Sequence, residues 1–137
     1  MMQSNKDNFY MEIASMVSKQ SKCKRAQVGA ILVKEGNVIA IGYNGTPSGF
    51  CNDCESEDVT LPEVLHAESN AIAKCARSTS SADGSILYTT LSPCFECCKL
   101  IIQAGIKKVV YKQKYHDYDR CENLLNMCNI YLSKIPL

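Results

Sequence analysis

Two short stretches carry side chains equipped for chemistry, "LHAES" at 65–69 and "SPCFECC" at 92–98. His66 and Glu68 stand two apart, while Cys94 and Cys97 stand three apart behind Pro93. One imidazole and two thiols form a zinc donor set. Three protein ligands leave the fourth tetrahedral position to water, as in a catalytic rather than a closed structural site. Glu68 need not coordinate, and two residues beyond the histidine it can hold and relay the proton of that water. Charge adds a condition, because two thiolates and a neutral imidazole formally cancel Zn2+ and weaken its pull on water. Two helix N-termini aimed at the site restore that pull, since each presents unpaired N–H groups and about half a positive charge. A bound water lowered toward a pKa of about 7 is then a usable nucleophile at neutral pH.

The elements that must position these residues follow from periodicity. Phe9, Ile13, Met16 and Val17 keep helical spacing, so residues 7–20 form an amphipathic helix, with Asn5 or Asp7 as its N-cap. "VGAILV" and "VIAIGY" are apolar runs separated by the four residues "KEGN", predicting an antiparallel hairpin over 28–43. "NGTPSGFCNDCESEDVTLPE" is loop by composition. A second helix begins between Pro62 and His66 and runs to about Arg77, with Ala67, Ala71, Ile72, Cys75 and Ala76 on one face. "SILYTT" is a third strand. The helix of "PCFECCKLIIQAG" has Pro93 at its entrance and Gly105 as its stop. "KKVVY" is a fourth strand, 119–128 a last helix and "NIYLS" a fifth strand. This alternation predicts an α/β fold, a mixed five-stranded sheet with helices on both faces. His66 and Glu68 then open one helix, and Cys94 and Cys97 share the first turn of the next.

Composition sets the remaining bounds. The 137 residues, 46% apolar, are expected to form one domain over 1–137. Fifteen basic against fourteen acidic side chains give a formal charge of +1, which demands neither nucleic acid nor a membrane as partner. The N-terminal stretch lacks a basic-then-apolar signal pattern, and no window approaches 18 uninterrupted apolar residues, so a soluble intracellular protein is expected. Nine cysteines without a secretion signal favour metal ligands and buried thiols over a disulfide framework. Cys75, Cys121 and Cys128 lie in apolar helix-like stretches and read as small buried hydrophobes. Cys98, adjacent to a ligand, points elsewhere on its helix and is expected to be packed rather than ligating.

These residues also carry a family resemblance. H-x-E followed by P-C-x-x-C is the zinc nucleobase-deaminase signature, matched by "HAE" at 66–68 and "PCFEC" at 93–97. In order and spacing, "SKC…QVGAILV", "GYNGTPSGF", "HAESNAI", "LYTTLSPCFECCKLIIQAGIKKVVY" and "KYHD" resemble the deoxycytidylate (dCMP) deaminases over about residues 10–130. The resemblance implies a three-layer αβα cytidine-deaminase-like fold. It also implies hydrolysis of dCMP to dUMP and ammonia, supplying dUMP for thymidylate synthesis, with activation by dCTP and inhibition by dTTP. Further implications are a homohexamer, a cytoplasmic location (that of the host, were the chain viral) and Mg2+ accompanying a bound triphosphate. Carried over by position, His66, Cys94 and Cys97 hold Zn2+ and Glu68 shuttles protons. Asn44, Ala67, Ser92, Pro93 and Tyr115 face the substrate, with Asn44 at the sugar and Tyr115, together with His116, near the phosphate. Gly42, Tyr43 and Gly45 belong to a nucleotide or effector loop. Cys23, Cys51 and Cys54 match cysteines that hold a second zinc in some relatives, although no fourth ligand is apparent. Lys114 and Arg77 are further phosphate candidates, each also readable as an ordinary solvated charge.

Three other functions compete. A related deaminase would act on free cytidine or on adenosine in RNA, and the near-zero charge without a basic or aromatic tail counts against RNA. A non-enzymatic zinc module would show a fourth protein ligand. A thiol oxidoreductase would need Cys94 and Cys97 as a metal-free reactive pair.

Overall fold

A computed structural model describes residues 2–136, with side chains from residue 6 onward. The chain runs α1 (Met2–Ser18), β1 (Gly29–Lys34), β2 (Asn37–Tyr43), β3 (Glu55–Ser56), β4 (Val59–Thr60), α2 (Ala67–Ala76), β5 (Ile86–Leu91), α3 (Phe95–Gln103), β6 (Lys108–Gln113), α4 (Tyr118–Met127) and β7 (Tyr131–Lys134). Five strands form one sheet in the order β2-β1-β5-β6-β7, and β3 and β4 form a separate two-stranded ribbon. β1 is antiparallel to both β2 and β5, while β5, β6 and β7 are mutually parallel. The sheet is therefore mixed, as expected.

Strand alternation divides the core into two layers of contact. Ala30, Leu32, Leu87, Val109, Tyr111 and Leu132 face α2, α3 and α4, where they meet Ala71, Cys75, Cys98, Ile101, Cys121 and Leu125. Ile31, Val33, Tyr88 and Val110 face the other way, against Met11, Ala14 and Val17 of α1. With both faces covered, β1 is buried along nearly its whole length, which is why "GAILV" reads as a continuous apolar run instead of an alternating one. The result is the three-layer αβα arrangement.

Several expectations are corrected in detail. In α1 the buried stripe is Met11, Ala14 and Val17, whereas Phe9 (59%) and Met16 (67%) are exposed. Asp7 is inside the helix, not at its N-cap. There it is buried and accepts a 2.6 Å hydrogen bond from the Tyr88 hydroxyl. A short polar residue near an N-terminus suggested capping, but a cross-layer partner 81 residues away decides its place. Asn5 lies where side chains are outside the described residues. The β1–β2 turn is two residues, Glu35 and Gly36, both at positive φ (51° and 79°), because Lys34 and Asn37 already pair. The polar loop contains the short β3–β4 ribbon, and Cys128 is exposed at the end of α4.

Cys23 and Cys54 are joined by a disulfide, while Cys51 is exposed and free. Of the second-zinc set of Cys23, Cys51 and Cys54, two sulfurs are thus bonded to each other instead of converging with the third. Gly42, expected in a nucleotide or effector loop, lies instead within a strand, β2. A Cβ there would overlap the Ala71 amide nitrogen and the Ala67 carbonyl, so its missing side chain lets α2 lie directly on the sheet.

Candidate functional site

The site forms where strands give way to helices. β5 ends at Leu91, and Ser92, Pro93 and Cys94 lead into α3, with Cys94 as N-cap. Pro93 therefore precedes the cap instead of filling the first helical position. The Cys94 sulfur accepts from the Cys97 amide at 3.5 Å, so one of the helix's unpaired N–H groups is turned on a future ligand. His66 caps α2 with extended backbone (ψ 156°) but makes no side-chain capping bond. Its imidazole is turned to the sulfurs instead.

His66 Nδ1 lies 3.3 Å from Cys94 Sγ and 3.5 Å from Cys97 Sγ. Among the described residues, these ligand atoms form a cluster within 4.8 Å of one another, and no fourth His, Cys or carboxylate atom joins it. Zinc bonds of about 2.0 Å to nitrogen and 2.3 Å to sulfur at tetrahedral angles require N···S separations of about 3.5 Å. Both nitrogen-to-sulfur distances match that ion. Both sulfurs are free of disulfide, and the missing fourth ligand disfavours a closed structural centre.

The electrostatics are those of groups crowded together. The Cys94 thiol is pulled down to about 4, chiefly by the hydrogen bond from Cys97, with His66 adding to it. The same bond, followed by burial, pushes Cys97 up. Cys94 raises the His66 imidazole, against burial. Cys94 is thus the more acidic of the two thiols and Cys97 the less acidic. Glu68, only 4% exposed, is raised from 4.5 to about 7 by burial above all, with the Cys94 charge contributing. At neutral pH such a carboxyl both accepts and releases protons.

A cavity of about 270 Å³ opens over this cluster, lined by His66, Glu68 and Cys94 together with Asn44, Ala67, Ser92 and Tyr115. That size suits a small molecule more than a polymer. Ser92 is buried, and its hydroxyl accepts the Tyr115 amide at 2.7 Å, tying the loop after β6 to the end of β5. Asn44 accepts from the Val28 amide at 2.9 Å and donates to the Ala26 carbonyl at 2.8 Å. Its side chain therefore anchors the loop before β1, leaving one N–H and one lone pair for anything bound.

Other expected residues fall elsewhere. Pro93 is fully buried and does not line the cavity. Gly42, Tyr43 and Gly45 also lie off its wall. The Tyr43 ring receives Lys74 at 5.1 Å, and Gly45 bridges Leu65. Lys114 sits 4.5 Å over the Tyr118 ring, and Arg77 caps the far end of α2, about 16 Å along the helix from His66. The His116 ring stacks on Tyr115 at 4.1 Å. Cys98 is fully buried, and its thiol is raised mainly by burial, with Cys121 beside it. In their place the cavity gains Arg25, Glu55 and Thr60. The basic run "KCKR" at 22–25 signalled Arg25 only weakly, because exposed basic clusters are commonly solvated.

Comparison with known proteins bears on this geometry. The family model described as "Cytidine and deoxycytidylate deaminase zinc-binding region" matches residues 4–113. A crystal structure of dCMP deaminase from the cyanophage S-TIM5, in complex with dCMP and dUMP, superposes with a TM-score of 0.91 at 48% identity, covering 95% of this chain and 96% of that one. Human deoxycytidylate deaminase is 39% identical over 139 residues, 92% of this chain and 77% of the relative. ComE operon protein 2 of Bacillus subtilis (strain 168) is 35% identical over 135 residues, 96% of this chain and 71% of the relative.

Proposed function

The chain belongs to the cytidine and deoxycytidylate deaminase family, and we propose that it is an enzyme converting dCMP and water to dUMP and ammonia. The observation that carries this reading is the meeting of His66, Cys94 and Cys97 beside the buried Glu68, whose proton affinity burial raises, with His66, Cys94 and Glu68 lining one cavity. His66, Cys94 and Cys97 would hold Zn2+, and Zn2+ supplies there a Lewis acid with an open position that acidifies water. Glu68 carries a proton to N3 of the pyrimidine as water adds at C4, then delivers one to the departing amine. Burial suits Glu68 to both tasks, because it disfavours the bare carboxylate and so raises the group's affinity for the proton it must carry.

The remaining site residues divide by their bonds. Ala67, Ser92 and Tyr115 shape the cavity around the nucleotide, and Asn44 meets the sugar with the donor and lone pair left over from its backbone bonds. Residues 1–137 form one deaminase domain. The enzyme is a cytoplasmic homohexamer that supplies dUMP for thymidylate synthesis. It is activated by dCTP with Mg2+ and inhibited by dTTP, and these last features rest on family resemblance.

The test is ammonia release from dCMP, CMP, deoxycytidine and cytidine by zinc-replete protein, repeated with dCTP and dTTP. Selective turnover of dCMP, raised by dCTP and lowered by dTTP, is expected. Absence of ammonia from dCMP overturns the reading, and equal rates with and without triphosphates remove the regulation.

A further inference from the structure

The cavity has one wall that the catalytic cluster does not explain. The loop after α1 and the β3–β4 ribbon are fastened together beside the cavity in three ways. The Cys23–Cys54 disulfide joins them. The Glu55 carboxylate accepts from the successive amides of Lys24 and Arg25 at 2.9 and 3.1 Å. The Arg25 guanidinium donates through Nη1 to the Thr60 hydroxyl at 3.1 Å. Cys23, Arg25, Glu55 and Thr60 all line the same cavity as His66 and Glu68.

Arg25 is the one lysine or arginine on that lining. Among the described residues its side chain has no carboxylate partner, and its single hydrogen bond goes to a neutral hydroxyl. Glu55, although close in the wall, is occupied by the backbone amides and fixes the loop without forming an ion pair to the guanidinium. Of the five N–H donors on an arginine, four remain for a ligand, in the fork geometry that matches phosphate oxygens. The catalytic cluster takes the base, and Arg25 is a cation on the same lining with donors to spare for the phosphate of a nucleotide.

We infer that Arg25, held in place by Glu55 and Thr60, reads the 5′-phosphate of the substrate and sets the preference for a nucleoside monophosphate over a nucleoside. This rests on the deamination reading above and names the residue behind its substrate class. Arg25 bears on recognition, and no proton in the reaction passes through it. Loss of its charge therefore acts on substrates with a phosphate and spares those without one.

The experiment compares wild-type protein with Arg25→Gln and Arg25→Lys, each checked for zinc content. Rates are measured on dCMP and deoxycytidine, and calorimetric binding on dUMP and deoxyuridine. Arg25→Gln is expected to lower kcat/KM for dCMP by at least about tenfold, mainly through KM, leaving deoxycytidine within about twofold. Arg25→Lys, with charge but no fork, falls between. An equal loss on both substrates marks a merely structural residue and overturns the inference, as does unchanged handling of dCMP. The binding arm separates the two proposals. If wild type released no ammonia, the deamination reading would fail, while dUMP bound about tenfold more weakly by Arg25→Gln, with deoxyuridine unaffected, would still support phosphate recognition. Equal dUMP affinities would overturn it.

Discussion

Glu68→Gln separates the demands of stability from those of chemistry. In the metal-free chain, Glu68 is raised from 4.5 to about 7, chiefly because burial disfavours its charged form. An unfolded chain releases this proton near 4.5, whereas the folded chain keeps it until about 7, so the folded state binds more protons in between. Stability from this group is accordingly full below about pH 4.5, declines as pH rises through that window, and levels off above 7. At about 1.4 kcal/mol for each pH unit, the gap amounts to about 3 kcal/mol. Glutamine has nearly the same shape and no proton to lose. After zinc removal by a chelator, Glu68→Gln should match wild type near pH 4.5 and exceed it by about 3 kcal/mol at pH 8, a rise in melting temperature of about 10 °C. The zinc-loaded variant should meanwhile retain its metal while losing at least about a hundredfold in dCMP turnover. Urea unfolding at the two pH values, paired with ammonia release, measures both. A variant less stable than wild type at pH 8 would refute the buried-charge reasoning, and near-normal turnover would remove Glu68 from the reaction.

Three further outcomes follow from the geometry. Cys94→Ala removes a donor that sits 3.3 Å from His66 Nδ1, so elemental analysis should find zinc lost from a still-folded protein, and stoichiometric zinc would exclude Cys94 as a ligand. Gly42→Ala places a methyl group against the α2 backbone at Ala67 and Ala71; it should cost about 1–3 kcal/mol and lower turnover by displacing His66 and Glu68, whereas an unchanged unfolding midpoint would show that α2 does not lie as close as described. Asp7→Ala leaves the buried Tyr88 hydroxyl without its acceptor and should cost about 1–3 kcal/mol, read by urea unfolding; a variant as stable as wild type would make that bond dispensable.

The ligand cluster was legible in sequence because its spacing is local. Cys94 and Cys97 meet through one turn of α3, and His66 and Glu68 through the first turn of α2, so two short motifs determine two half-sites. Strands and helices were legible for a similar reason, since the apolar runs of β1, β5 and β6 and the stop at Gly105 are encoded within a few residues. Long-range pairing was not. Nothing near Asp7 announces Tyr88, and nothing near Cys23 announces Cys54 as partner in place of a metal. Asn44 was identified as a cavity residue, yet its bonds to residues 26 and 28 form only when β2 returns alongside β1. Arg25 and Thr60 meet across 35 residues of mostly polar chain, where periodicity carries no signal.

Glu68 also shows which of two opposing effects governs the site. Its place in the first turn of α2 exposes it to the positive end of the helix dipole, which favours a carboxylate by about 0.3–2 kcal/mol. Had that effect dominated, Glu68 would be held below its ordinary range and stay ionised at neutral pH, able to accept a proton but slow to give one back. Burial exceeds it and leaves a net rise of about 3 kcal/mol in the cost of ionisation. That excess depends on α2 being pressed against the sheet, and the close approach is made at Ala67 and Ala71 over Gly42, flanking Glu68 in the chain. A glycine with no place on the cavity wall thereby helps set the proton affinity of the residue proposed to move the proton.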